Sequence, residues 1–157
     1  MKNYLIFILL GFTMIACDQN PGQGNVPGND EQIATKTDSL RDGVFIHITE
    51  GYNDPHRVLM PMKMATIMAD DRDVIVYLDI HAAELLVNGA KDLSFEGFDS
   101  FRTYTKQLLE KKVVICVCPT CLKVAGFAPE NLMEGIEIAQ KDKFFNFTEG
   151  RILTLDY

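Results

Sequence analysis

The chain has 157 residues, of which 47% are hydrophobic and 24% charged, with a formal net charge of -7 at neutral pH. This composition is typical of one globular domain with additional segments, long enough to bury a single substantial core. The negative charge argues against nucleic acid and anionic membrane surfaces as partners, because both are bound by basic patches. We therefore expect no nucleic-acid partner.

The first residues have the pattern of a bacterial export signal. Lys2 precedes an almost entirely apolar run from Tyr4 to Ile15, shorter than the about 20 residues that a membrane span needs. The run ends at Met14-Ile15-Ala16-Cys17, which resembles the lipobox of bacterial lipoproteins. This resemblance implies a signal peptide over residues 1–16 and a lipid on the Cys17 thiol. The mature chain would then be anchored in the cell envelope by that lipid, facing the periplasm or the exterior. A plain signal peptide or an uncleaved anchor is the alternative.

Residues 17–42 are predicted to form a flexible linker. The segment from Asp18 to about Gln32 consists almost entirely of Gly, Pro, Asn, Gln and acidic residues. Such a segment cannot bury enough apolar surface to offset the entropy lost on ordering. The folded domain is therefore expected to span residues 43–157.

Predicted strands and helices alternate along this domain. The predicted strands are 44–49, 73–79, the cysteine-bearing run that begins at 113, 135–139 and 151–155. The predicted helices are 54–69, 81–87, one with Phe98, Phe101, Leu108 and Leu109 on a single stripe, and 140–147. Asp54 and Pro55 form an N-cap and first-turn pair for the first of these helices, and Pro61 is expected to kink it. Apolar strands alternating with helices predict an α/β fold: a three-layer α/β/α sandwich with a mainly parallel sheet of about five strands.

The most informative motif is Cys118-Pro119-Thr120-Cys121, which directly follows the apolar run Val113–Val117. A thiol between a strand and a helix lies beside backbone N–H groups that lack partners, and this setting favours the reactive thiolate. A Cys-x-x-Cys pair in this position can cycle between dithiol and disulfide, carry a persulfide or bind a soft metal. A permanent structural disulfide is the non-functional alternative. Cys116, two residues earlier, is expected to pack in the core.

Other polar residues should lie near this motif, because right-handed crossovers place every strand-to-helix loop at one edge of a parallel sheet. Asp54 and His56 follow one predicted strand, and Asp79 and His81 follow another. His56 and His81 are therefore possible supporting residues for Cys118 and Cys121. His47 interrupts an apolar strand and is expected to be a core or edge residue. Met60, Met62 and Met64 do not share one helix face, so a copper site there is the minority interpretation.

The predicted domain from Gly43 to Tyr157 resembles the DsrE/DsrF-like (YchN/Tus-type) sulfur-relay domains. The resemblance is carried by five segments: 43–49, 54–58, 118–121 followed by Gly126, 144–148 and 151–155. It implies a five-stranded parallel sheet between helices and assembly into homo-oligomers. It also implies that Cys118, eight residues before Gly126, accepts and passes persulfide sulfur. Cys121 corresponds to the second cysteine of the YchN-type branch.

We therefore expect an envelope-tethered protein that carries or transfers sulfane sulfur as a persulfide on Cys118, with Cys121 assisting. Its partners would be sulfur donors and acceptor thiols or proteins, the membrane through the lipid on Cys17, and further copies of the chain. No cofactor and no resident metal are expected. The alternative is a non-catalytic module that binds a soft metal (Cu or Zn) or performs thiol redox chemistry.

Overall fold

The computed structural model describes residues 40–157. Five strands form one sheet: β1 (Gly43–Ile48), β2 (Asp73–Leu78), β3 (Val114–Val117), β4 (Glu137–Ile138) and β5 (Ile152–Asp156). Their order across the sheet is β4-β3-β2-β1-β5, and every neighbouring pair is parallel. The prediction of an α/β fold with a parallel sheet of about five strands is confirmed.

Within residues 40–157, four α-helices and two 3₁₀ helices connect the strands. The α-helices are α1 (Pro55–Met68), α2 (Phe101–Glu110), α3 (Pro119–Val124) and α4 (Lys143–Asn146), and the 3₁₀ helices are Ile80–Leu86 and Pro129–Asn131. Among the described residues, no helix is long and apolar enough to cross a membrane.

The start of α1 follows the expected capping chemistry. The Asp54 carboxylate accepts a hydrogen bond from the Arg57 backbone N–H at 3.1 Å, and Pro55 occupies the first turn. An N-terminal proline costs the helix nothing, because its missing N–H would have no helical partner. Pro61 lies inside the helix and is buried. The predicted helix over 54–69 is therefore confirmed, with its observed end at Met68.

The main hydrophobic core lies on one face of the sheet. Alternate residues of the central strands point into it, and α1, α2 and the 3₁₀ helix Ile80–Leu86 cover it. The buried strand residues on this face are Val44, Ile46, Ile48, Val74, Val76, Leu78, Ile115 and Val117. Since β1, β2, β3 and β4 are added in one direction, right-handed crossovers place the connections between them on this same face.

The opposite face has a thinner cover. The chain returns from β4 at one edge of the sheet to β5 at the other, which places α4 on this second face. Phe144 of α4 packs edge-on against Phe45 and Tyr77, with ring centroids 5.2 and 5.1 Å apart. The sandwich is thus unequal, with several helical segments on one side and one turn of helix on the other.

Several elements differ in type, start or length from the sequence prediction. The 81–87 helix is a 3₁₀ helix from Ile80 to Leu86, and its first residue has a positive φ of 45°. The expected helix over 140–147 contracts to α4, and the expected strand over 135–139 contracts to β4. The α2 helix begins after Phe98, because the Ser100 side chain accepts the Thr103 backbone N–H and so sets the N-terminus.

The expected signal peptide (1–16), the lipid-bearing Cys17 and residues 18–39 of the expected linker lie outside the described residues.

Candidate functional site

The strand-to-helix junction forms at the carboxyl edge of the sheet, as expected for Cys118. The Cys118 backbone N–H donates to the Leu78 carbonyl at 3.0 Å, which continues the pairing of β3 with β2. Cys118 then caps α3, and its Sγ accepts a hydrogen bond from the Cys121 backbone N–H at 3.4 Å. The structure therefore brings the two cysteines of the motif together across one helical turn.

The turn that ends α3 contains Gly126, the glycine eight residues after Cys118. Gly126 has a φ of +87°, and its N–H donates to the Lys123 carbonyl at 3.0 Å. Phe127 donates to the Leu122 carbonyl at 3.1 Å. A residue in the left-handed region commonly terminates a helix in this way, and glycine adopts that conformation without strain.

The pKa values of the Cys118 and Cys121 thiols are shifted in opposite directions. Partial burial opposes ionisation of Cys118, but hydrogen bonds from Cys121, the Tyr77 hydroxyl and the Thr120 backbone lower its pKa overall. The pKa of Cys121 is raised, first by burial and then by the neighbouring Cys118 thiolate, although the Ile80 backbone N–H partly opposes this effect. Cys118 is therefore the member of the pair that more readily forms a thiolate.

Cys116 is the third described cysteine, and it is fully buried in β3. Burial raises the pKa of its thiol to about 12, with a small opposing effect of Lys143. A thiol in this environment is unreactive at neutral pH. The expectation that Cys116 packs as a small apolar residue is confirmed.

A pocket of about 310 Å³ opens beside Cys121. Its lining residues are Ile80, His81, Glu84, Cys121, Val124 and Ala125. Ile80 has a φ of 45°, which is unusual for a β-branched residue. This turn positions the Ile80 N–H toward the Cys121 thiol and places His81 in the pocket wall. Of the two histidines predicted to support the thiols, His81 therefore shares a pocket with one of them.

His56 lies in a different environment. Its ring stacks on Phe95 with centroids 5.1 Å apart and lies 5.3 Å from the Phe98 ring. The hydrogen bonds and charges with the largest effects on the two thiols come from other residues. Asp54, grouped with His56 from the sequence, is engaged in capping α1.

The methionines of α1 do not form a shared metal-binding surface. Met62 is fully buried, whereas Met60 is 38% exposed. Across residues 40–157, no three His, Cys, Asp or Glu side chains are arranged to hold a metal ion. Core packing is the role that the structure gives Met62.

A histidine between two carboxylates lies next to the thiol site. His47 Nδ1 is 2.9 Å from Asp156 Oδ1, and His47 Nε2 is 3.0 Å from Asp79 Oδ1. Only the Asp156 contact has hydrogen-bond geometry. Within the described structure, His47 Nε2 and Asp79 Oδ1 are buried and, despite lying close together, have no hydrogen-bond partner. His47 was expected from the sequence to be a core or edge residue; Asp156 becomes its neighbour only through the pairing of β5 with β1.

Tyr77 completes this cluster and was also missed from the sequence. Its ring stacks on His47 with centroids 5.2 Å apart and an interplanar angle of 24°. Burial raises the pKa of its hydroxyl, and the hydrogen bond with Cys118 raises it further. The hydroxyl therefore stays protonated at neutral pH.

Solved structures provide a comparison for this arrangement. The described architecture matches the crystal structure of YchN from E. coli with a TM-score of 0.58 and 18% sequence identity, over 73% of this chain and 99% of that one. The fold is that of YchN. A second similar structure is MTH1491 from Methanobacterium thermoautotrophicum, described as a protein of unknown function, with a TM-score of 0.53 and 18% identity over 72% of this chain and 98% of that one. No protein-family model and no curated protein matches the chain.

The YchN likeness agrees with the fold expected from the sequence resemblance. The two structural matches cover nearly the whole length of YchN and of MTH1491, so the described residues correspond to the complete fold of each. At 18% identity the likeness concerns the fold, and the chemistry of the site is argued from this chain's own residues.

Proposed function

We propose that this protein carries sulfane sulfur as a persulfide on Cys118, with Cys121 assisting in its transfer. The observation that carries the proposal is the environment of the Cys118 thiol, where hydrogen bonds from Cys121, Thr120 and Tyr77 favour the thiolate despite partial burial. A thiolate is the form of cysteine that attacks a sulfur atom. The sequence resemblance to DsrE/DsrF-like sulfur-relay domains and the YchN-like fold support the same role.

The transfer chemistry needs no oxidant. The Cys118 thiolate attacks the terminal sulfur of a donor persulfide, R–S–SH. A new S–S bond forms at Cys118, the donor S–S bond breaks, and the donor leaves as the thiolate R–S⁻. The terminal sulfur keeps its proton, so Cys118 holds –S–SH.

Release of the sulfur repeats the same exchange. An acceptor thiolate, or the Cys121 thiolate, attacks the terminal sulfur and takes it as a new persulfide, while the Cys118 thiolate leaves. The leaving step is faster for a thiol of lower pKa, which agrees with the lowered pKa of Cys118. Cys121 lines the pocket with His81, and a small thiol acceptor could approach the pair from that side.

The direct test is mass spectrometry of the full chain after polysulfide treatment and removal of excess reagent. Cys118 should gain the mass of one or more sulfur atoms, and the Cys118→Ser variant should lose this modification. Cys116→Ala is the matched control, because that buried thiol should not react. Absence of added sulfur on Cys118 in the folded wild-type protein would refute the proposal.

Thiol redox chemistry is the second candidate, favoured by the placement of Cys118 and Cys121 one helical turn apart, with the Cys121 backbone N–H 3.4 Å from Cys118 Sγ. In the same experiment it predicts a Cys118–Cys121 disulfide with no added sulfur. A Cys121→Ser variant separates the two functions, since it prevents the disulfide and leaves the Cys118 persulfide able to form.

We also propose that the chain is a lipid-anchored envelope protein that assembles with further copies of itself. The lipobox-like sequence before Cys17 and the relay-domain resemblance support these two properties. Radioactive palmitate should label the full chain in a bacterial host, and Cys17→Ser should abolish the label. Light scattering of the detergent-solubilised protein, with the mass of bound detergent subtracted, should give a protein mass above that of one chain. A protein mass equal to one chain would contradict the assembly.

A further inference from the structure

The pocket beside Cys121 lies between two helical segments that pack against each other, α3 and the 3₁₀ helix Ile80–Leu86. The wall on the α3 side consists of residues spaced i, i+3 and i+4, which share one helix face: Cys121, Val124 and Ala125. The opposite wall consists of Ile80, His81 and Glu84. At about 310 Å³ the pocket is at the lower end of the size range of small-molecule sites. It therefore fits a molecule of low mass that reaches the Cys121 thiol.

The pocket beside Cys121 is acidic. Glu84 provides the carboxylate of its lining, which contains no lysine or arginine. In the described part of the chain, Glu84 forms no ion pair. Glu84 also borders a second pocket that is lined by Lys91, but Lys91 does not line the pocket beside Cys121. Asp79 adds negative charge near the Cys121 thiol. A molecule that enters this pocket therefore meets a negative potential, which attracts cations and repels anions.

The two walls of the pocket also carry exposed apolar side chains. Ile80 is 55% exposed and Val124 is 83% exposed. Ile80 in addition has a φ of 45°, which β-branched residues rarely adopt. An exposed side chain in a disfavoured backbone conformation contributes little to stability, and residues of this kind cluster at functional sites. Contact with the hydrocarbon part of a bound molecule accounts for an isoleucine at this position.

We propose that the pocket beside Cys121 admits low-mass thiols that carry an ammonium group on a short hydrocarbon chain. Glu84 attracts the ammonium group and determines the specificity, while Ile80 and Val124 contact the chain. The inference rests on the proposed sulfur-carrier function and names the class of acceptor that this function uses.

The transfer to such an acceptor balances without an oxidant. The Cys121 thiolate first takes the terminal sulfur from the Cys118 persulfide, and the Cys118 thiolate leaves. The acceptor thiolate, bound in the pocket, then attacks the terminal sulfur on Cys121. A new S–S bond forms on the acceptor, the S–S bond to Cys121 breaks, and the Cys121 thiolate leaves. The sulfur keeps its proton throughout, so the acceptor departs as R–S–SH.

The first test measures charge selection at Cys121 without any persulfide. In the full chain with Cys118→Ser, mixed-disulfide formation at Cys121 is followed by acid quenching and peptide mass spectrometry. The probes are cystamine, which carries ammonium groups, neutral 2-hydroxyethyl disulfide, and dithiodiglycolate, which carries carboxylates. In each reaction the Cys121 thiolate attacks one sulfur of the probe, a protein–probe disulfide forms, and the other half leaves as a thiolate. Each rate is divided by the rate for the same chain unfolded in guanidinium, which removes the intrinsic reactivity of the probe.

The folded chain should react fastest with cystamine and slowest with dithiodiglycolate. Glu84→Gln should lower the ratio of these two rates about fivefold, since attraction of one probe and repulsion of the other are each worth about twofold for a partly exposed charge. Glu149→Gln is the matched control, because it makes the same charge change at an exposed residue before β5, at the opposite edge of the sheet, and should leave the ratio unchanged. An equal ratio in Glu84→Gln and its parent chain would refute the role of Glu84. High salt should reduce the ratio in the parent chain, because it screens the Glu84 charge.

Ile80→Asn tests the apolar contact. Asparagine tolerates the left-handed conformation and removes the hydrocarbon, so the urea midpoint should be at or above that of the parent chain. The cystamine reaction at Cys121 should nevertheless become slower. An unchanged cystamine rate would refute the contact, and a lower urea midpoint would assign Ile80 to stability of the fold instead of to the ligand.

The sulfur-transfer step has its own measurement. The persulfide-loaded wild-type chain is mixed with cysteamine, 2-mercaptoethanol or mercaptoacetate, and loss of the added sulfur should be fastest with cysteamine. Selection among the disulfide probes together with no persulfide on the wild type would retain the preference of the pocket and refute its use in sulfur transfer. A persulfide that is released to all three thiols without selection would retain the carrier and refute the acceptor class.

Discussion

Alkylation of the native protein should separate two cysteines that are only two positions apart. The ordinary pKa of a cysteine thiol here is 9.0; hydrogen bonds bring the pKa of Cys118 below that value, and burial raises that of Cys116 to about 12. Iodoacetamide reacts with the thiolate, so the two side chains should be modified at very different rates.

The difference can be bounded from these values. At pH 7, a pKa gap of three units corresponds to about a thousandfold difference in thiolate fraction. The thiolate of the less acidic thiol is the stronger nucleophile, and a Brønsted slope of about 0.4–0.5 returns roughly 20-fold. The remaining advantage of Cys118 is about 50-fold. This is a lower limit, because Cys118 lies below 9.0 and Cys116 has no solvent exposure.

The assay is a timed iodoacetamide reaction on the folded full chain, with acid quenching, digestion and quantification of each cysteine by mass spectrometry. Unfolding in guanidinium before labelling is the control and should make the two rates similar. Labelling of Cys116 within a few-fold of Cys118 in the folded protein would refute the reasoning from burial and hydrogen bonding.

Two further predictions concern the elements that hold the site. Asp54→Ala removes the side chain that accepts the Arg57 N–H and should lower the free energy of unfolding by about 1 kcal/mol in urea titrations; an unchanged midpoint would contradict the capping role. Gly126→Ala places a Cβ on a residue with a φ of +87° and should also cost about 1 kcal/mol, although a Cβ there would meet no atom within 4 Å. A neutral result would show that the backbone at residue 126 shifts freely.

Much of the fold can be predicted from local sequence patterns, because the structure forms the expected strands and helices at those positions. Strands buried in the centre of a parallel sheet have continuous apolar runs, which differ clearly from the periodic apolar pattern of amphipathic helices. Asp54 with Pro55 marks a helix start by its capping chemistry alone. The Cys118–Cys121 junction was predicted for the same reason, because both the apolar run and the turn chemistry are contiguous in sequence. The strand expected over 135–139 was overestimated at its start, where Gly135 has a positive φ of 83° and β4 begins only at Glu137.

The cluster around His47 could not be predicted in this way. His47 and Asp156 are 109 residues apart in sequence and become neighbours only because β5 pairs with β1 rather than with β4. Periodicity identifies strands but does not give their order across a sheet. Tyr77 was predicted only as a strand residue for the same reason. Its neighbours His47 and Cys116 are set by the strand register, which the sequence pattern does not give.

The position of β5 also has a consequence for how the protein folds. Gly43 pairs with Asp73 in β2 after a separation of roughly 30 residues, but with Ile152 in β5 across most of the domain. By loop-closure entropy alone, the second pairing costs about 1 kcal/mol more than the first, and such long-range contacts slow folding. Synthesis also delivers β5 after the other four described strands. We therefore expect the core and the Cys118 turn to assemble before the C-terminal strand docks, so that a nascent chain presents its thiols before Asp156 reaches His47.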